Sequence, residues 1–185
     1  MGDGEMEWDE FIALTASFLE LSEKAGDVWH IKGRKDELGG AYLVRVRRHL
    51  AKPREDLQGT CGEEATSVQF WEHHVVYSVG YRVPVLYFNA WRSNGELLSL
   101  EEIWNEVHES LKPEDTRALW ELITQQEHPV LGKPFFQVHP CRTAKFLISL
   151  REVAGRNVLV PWLSSLGPLV NLNLDLSYAY GNDKK

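Results

Sequence analysis

The chain reads as a single α+β domain, an antiparallel meander sheet packed by an N-terminal helix and C-terminal helices. Three observations predict it. Trp8, Phe11, Ile12, Phe18 and Leu19 recur at helical spacing near the start, with Asp9, Glu10 and Glu20 on other faces. Strand-like runs then follow one another from Tyr42 to Asn89 with no helical pattern between them. Beyond Ser99 the apolar spacing returns to that of helices. At 185 residues, 43% of them hydrophobic, the chain has enough apolar surface for one substantial core. We expect one domain over 1–185, with the polar tail at 181–185 disordered.

The opening helix runs from about Trp8 to Ser22 and stops near Gly26. Its polar residues are acidic, whereas interfacial helices favour Lys and Arg, so it packs on the domain rather than on a membrane. Val28, Trp29 and Ile31 read as a short strand before the turn-rich segment Gly33 to Gly40. Tyr42, Val44 and Val46 alternate with Leu43, Arg45 and Arg47, the period of a strand with one face buried and one partly wet. The basic residues are thus a solvated face or a docking patch for an acidic partner. Ala51 to Thr66 is a loop rich in Pro, Gly, Glu and Asp. Val68 to Val79 and Tyr81 to Asn89 form a hairpin about Ser78 to Gly80, with Pro84 marking an irregular or edge position. Ser99 and Glu102 have the capping-box spacing, so a helix runs from about Leu100 to Leu111. Pro113 ends it or opens a further helical turn through Leu119, Trp120 and Leu122. Gln125 to Pro140 holds three prolines and little periodicity, and reads as an ordered loop or short extended piece that buries Phe135, Phe136 and Val138. A helix over Thr143 to Val153 follows.

The formal charge of −7 argues against sequence-independent nucleic-acid binding, which needs clustered cations to displace counterions. No run approaches the ~18 apolar residues that span a bilayer, and the acidic start is unlike a signal peptide, so a cytoplasmic protein is the expectation. Two cysteines, Cys61 and Cys141, are too few and too far apart in sequence to read as a disulfide scaffold or a four-ligand zinc site. In a reducing compartment both are free thiols, each either a packing residue or a chemical one.

Cys61 lies in the loop beside Gly62, where an exposed, incidental thiol is expected. Cys141 follows His139 and Pro140 and precedes a helix, whose N-terminal amides lie near the sulfur and favour thiolate. Arg142 adds a cation that serves the thiol or simply faces solvent. His139, on the far side of a proline, reads as a hydrogen-bonded structural residue rather than a base. No histidine can be placed as the partner of a cysteine-peptidase dyad. His73 and His74 are adjacent on a strand and point to opposite faces, so they cannot share one metal ion. Phosphate-loop, HExxH and GxSxG patterns do not occur.

Three segments carry a resemblance to a known family: Val83–Pro84–Val85–Leu86–Tyr87–Phe88 through Ser99–Leu100–Glu101–Glu102–Ile103–Trp104; Glu127–His128–Pro129 through Phe135–Phe136 to His139–Pro140–Cys141; and Pro161–Trp162–Leu163 through Leu174–Asp175–Leu176–Ser177–Tyr178–Ala179. In these the chain resembles the autophagy E2-like conjugating enzymes. The resemblance implies an E2-like conjugating-enzyme fold in which Cys141 receives a ubiquitin-like modifier, autophagy-related protein twelve, from the activating enzyme autophagy-related protein seven. It further implies transfer to a lysine of autophagy-related protein five, with no bound cofactor and with ATP spent by the activating enzyme. A thiol suits this work, being nucleophilic once ionised and a good leaving group from its thioester.

Ubiquitin-type conjugating enzymes carry a His-Pro-Asn motif upstream of the cysteine, with the Asn supporting the oxyanion, whereas here the cysteine itself follows His-Pro. Some other donor must serve: a backbone amide at Arg142 or Thr143, or a side chain such as Asn89 or Asn94. The Asn residues also read plainly as a strand end and a turn, and the donor stays unassigned. Two alternatives remain: a sibling branch that transfers a modifier to phospholipid and carries a long charged insertion, and a non-catalytic module that holds a ubiquitin-like partner, with Arg45 and Arg47 selecting an extended or acidic ligand by strand addition.

Overall fold

The computed structural model describes residues 4–51, 68–106, 122–153 and 157–178. Helix α1 (Trp8–Lys24) begins with Asp9 and Glu10 in its first turn, where carboxylates complement the helix dipole. It ends at Ala25, and Gly26 then takes φ +67°, the left-handed conformation that lets the chain turn back into the sheet. Strands β1 (His30–Gly33), β2 (Ala41–Leu50), β3 (Val68–Ser78) and β4 (Val83–Arg92) form the antiparallel meander. Helix α2 (Leu100–Glu106) follows, then β5 (Ile123–Glu127), β6 (Pro134–Val138), α3 (Thr143–Val153) and α4 (Leu159–Leu166). The six-stranded order is β1-β2-β3-β4-β6-β5, so β6 pairs with β4 and β5 forms the outer edge. Among the described residues no helix is long and apolar enough to cross a membrane.

Tyr77 fixes which side of the sheet meets the helices: its ring touches those of Trp8 and Phe11 of α1. By alternation Val75, His73 and Trp71 share that face, together with Leu86 and Phe88 of β4 and Leu43 and Arg45 of β2. Phe11, Phe18, Leu147, Leu159 and Trp162 complete this core with essentially no exposed area. Pro84 stands opposite Tyr77, in the part of β4 that β6 does not reach, where its missing N–H leaves no ladder bond unmade. The expected capping box is present: Ser99 N–H donates to Glu102 Oε2 at 3.0 Å and Glu102 N–H to Ser99 Oγ at 3.3 Å.

Two expectations are corrected. Most of Gln125 to Pro140, expected as an ordered loop or short extended piece, belongs to a hairpin of β5 and β6 that spans 123–138, in which Phe136 stacks on Phe88 and Phe135 packs on the opposite face. Arg45 is not on a wet face. It faces the helices, and Arg45 Nε donates to Asp27 at 3.0 Å with only 8% of its side chain exposed. Its guanidinium lies 5.8 Å from the centre of the Trp29 ring, and Arg47 reaches the same carboxylate at 2.5 Å. Arg45 is therefore withdrawn from any docking patch, whereas Arg47, with 47% of its side chain exposed, stays partly wet as expected. The expected loop at Ala51 to Thr66, with Cys61, the expected end of α2 and the turn after Pro113, and the expected disorder at 181–185 fall on residues 52–67, 107–121 and 179–185, outside the described residues.

Candidate active site

The chain leaves β6 at Val138, and His139 N–H donates to Leu122 O at 2.7 Å, tying the exit to the start of β5. His139 is extended at φ −60°, ψ 127°, as a residue before proline must be. Pro140–Arg142 makes one 3-10 turn that runs directly into α3. Pro140 is buried, whereas Cys141 is a free, exposed thiol at the head of that helix.

His139 is engaged with the backbone, as a hydrogen-bonded structural residue. Its Nδ1 accepts the Cys141 N–H at 3.1 Å, so the neutral ring carries its proton on Nε2 and caps the turn. The ring also meets Tyr81, from the turn between β3 and β4, edge-on with centres 6.3 Å apart. Thr143 N–H donates to Pro140 O, closing the turn from the other side. The thiol thus rides on a backbone in which the Cys141 and Thr143 amides are already committed.

The two asparagines are not brought to the thiol. Asn89 Nδ2 donates to Pro134 O at 3.1 Å, at the start of β6, while Cys141 lies beyond the end of that strand. The two stand at opposite ends of β6, and no contact joins Asn89 to Cys141 among the described residues. Asn94 Oδ1 accepts the Glu96 N–H at 3.0 Å and is a turn residue. Of the two backbone amides expected to serve, that of Thr143 is occupied by Pro140 O. A cleft of about 540 Å³ opens between the β1–β2 turn, the end of β3 and Pro129–Val130, but Cys141 does not line it. The thiol stands on open surface, where a macromolecular partner can reach it.

His73 and His74 do point to opposite faces. His73 Nε2–H donates to Val170 O at 2.7 Å on the helix side, and burial pushes its pKa down to about 4. On the other side lies an arrangement that sequence reading missed. Val130 and Leu131 N–H donate to His128 Nδ1, so His128 Nε2 must carry the proton it gives to His74 Nδ1 at 3.0 Å. His74 Nε2–H in turn donates to Glu72 at 3.1 Å, and this bond is the main reason the Glu72 carboxyl lies below its ordinary range. Burial lowers the His128 pKa to about 4, with the neighbouring His74 adding to it. The rings of Tyr42, Tyr87 and Phe135 enclose the chain of donors. Its sequence signal is a Glu and a His two apart on one strand, but the partner histidine is 54 residues away.

The family model described as "Autophagocytosis associated protein, active-site domain" matches residues 20–177. The ubiquitin-like-conjugating enzyme ATG10 of Homo sapiens is 36% identical over an alignment of 210 residues, covering 94% of this chain and 95% of that protein. The enzyme of the same name from Arabidopsis thaliana is 36% identical over 115 residues, covering 58% of this chain and 51% of its own length. That of Dictyostelium discoideum is 35% identical over 127 residues, covering 61% and 55%. With an antiparallel sheet, helices on one face and an exposed cysteine at a helix head, the chain belongs to the ATG10 family of ubiquitin-like-conjugating enzymes, the E2-like transferases of autophagy.

Proposed function

We propose that Cys141 carries autophagy-related protein twelve as a thioester, received from the activating enzyme autophagy-related protein seven, and transfers it to a lysine of autophagy-related protein five in the cytoplasm. The observation that supports this reading is the exposed Cys141 thiol at the head of α3, its amide held by His139. A thioester there is open to an incoming lysine. The amine nitrogen attacks the thioester carbonyl, the carbon–sulfur bond breaks and the thiolate leaves. The nitrogen loses its proton, an isopeptide bond remains and Cys141 is ready to be recharged. Exchange of thioester for amide is driven by the activated acyl group, so ATP is consumed upstream and no cofactor is required at this site.

The acceptor is tested by isolating the charged enzyme and adding either autophagy-related protein five or vesicles containing phosphatidylethanolamine. Formation of a thiol-stable protein conjugate with loss of the thioester is expected. Modifier appearing on phospholipid, with none on the protein, would assign the chain the chemistry of the sibling branch instead.

A further inference from the structure

Residues Gly4–Glu7, ahead of α1 and outside the stretch matched by the family model, lie across the region that carries Cys141. Gly4 is buried at φ +93° against the second residue of α3: a Cβ added there would overlap the Ala144 carbonyl oxygen and stand 3.0 Å from Ile148 Cγ1. Only glycine fits, both for conformation and for space. Two residues on, Met6 is 1% exposed and both of its backbone groups are used. Its N–H donates to Arg82 O at 2.8 Å and its carbonyl accepts the Tyr77 hydroxyl at 2.9 Å.

Arg82 itself sits at φ +52°, a conformation that a non-glycine residue holds only when its surroundings over-determine it. Here they do: Arg82 N–H donates to Ser78 O at 2.7 Å, and its guanidinium pairs with Glu5 and Glu7. From the other side Arg151 of α3 reaches Glu5 O at 3.4 Å and Glu10 at 2.7 Å. The contacts close into a ring. It runs from Cys141 through the 3-10 turn into α3 at Ala144, across Gly4 and Met6 to Arg82, to the adjoining Tyr81, to His139, and back to the Cys141 amide.

We propose that Gly4–Glu7 is a positioning strap for the active-site cysteine, with Gly4 and Met6 as its positioning residues. It fixes the head of α3 relative to the β3–β4 turn, and so fixes where the Cys141 thioester faces its acceptor. Neither residue touches the reacting atoms. The inference rests on Cys141 being the carrier.

The test charges the full chain at Cys141 and follows single-turnover discharge to an added amine, alongside the enzyme concentration that half-saturates charging. Gly4→Ala and Met6→Ala are expected to slow discharge by about tenfold or more, the scale on which misplacing a reacting group acts, with half-saturation unchanged. Met6→Leu restores most of the rate. Leu172→Ala, at a fully buried core position that packs against Gly167, serves as the stability control and keeps the wild-type discharge rate despite a lower melting temperature. Should Gly4→Ala fail to fold, Met6→Ala and its Leu rescue carry the test alone. Wild-type discharge in the Met6→Ala variant, or equal slowing in Leu172→Ala, overturns the strap. Absence of any thioester on the wild-type chain, with active partners, overturns instead the reading on which the strap rests.

Discussion

Asp27 gathers four donors onto a side chain only 5% exposed: Arg45, Arg47, the Tyr178 hydroxyl and the Val28 N–H. Burial is the largest single influence on its carboxyl and raises the pKa, but the two arginines and the other donors together outweigh it, and the group stays below its ordinary value. Tyr178 is shifted up, by burial first and then by the charge of Asp27 beside it. Removing the carboxylate strands Arg45 against Trp29 with no counter-charge. Asp27→Ala should therefore cost about 3–5 kcal/mol, seen as a lower urea midpoint, and the double variant Asp27→Ala with Arg45→Met should recover most of it. A single-variant loss below about 1 kcal/mol contradicts this account of the pair. Nothing local in the sequence betrays the arrangement. The alternation around Tyr42 marks a strand but not which side meets the helices, and the partner that neutralises Arg45 stands 18 residues away.

At the scale of elements, the caps were legible and the histidine chain was not. Ser99 and Glu102 announce the start of α2 because the capping bonds are made within three residues. Ser99→Ala should lower stability by about 1 kcal/mol, measurable by thermal melting, with Ser99→Asp nearly neutral. The β5–β6 hairpin stayed hidden because its strands are five residues each and prolines interrupt the alternation. Its turn is held across the sheet by His128, whose neutral form alone satisfies both Nδ1 as acceptor and Nε2 as donor. His73 is likewise buried neutral. For both, the folded pKa of about 4 lies below the ordinary 6.5, so the unfolded chain takes up the proton first. This contribution is complete above about pH 6.5 and is lost as the pH falls toward 4, at up to about 1.4 kcal/mol per pH unit for each group. The urea midpoint should drop clearly between pH 7 and pH 5. A flat profile over that range contradicts the neutral assignment of these histidines.

For the whole molecule, much of the architecture was readable because its devices are local: helical spacing in α1, alternating apolar runs in β2 to β4, and the proline that turns the chain into Cys141. What depends on contacts far apart in sequence was not readable, including the return of β6 beside β4 and the crossing of Gly4–Glu7 to Arg82. The candidate site divides in the same way. Cys141 stood out from its own neighbours, whereas the commitment of its amide to His139 and the distance of Asn89 emerged only from the fold. The central claim is that Cys141 carries the modifier, and it is tested by mixing the chain with autophagy-related protein twelve, autophagy-related protein seven and ATP, then resolving the products on a non-reducing gel beside Cys141→Ser. The account predicts a wild-type adduct that a thiol reagent removes, replaced in the variant by no adduct or by a thiol-stable ester. A reducible adduct unchanged in Cys141→Ser would contradict it and move the chemistry to Cys61.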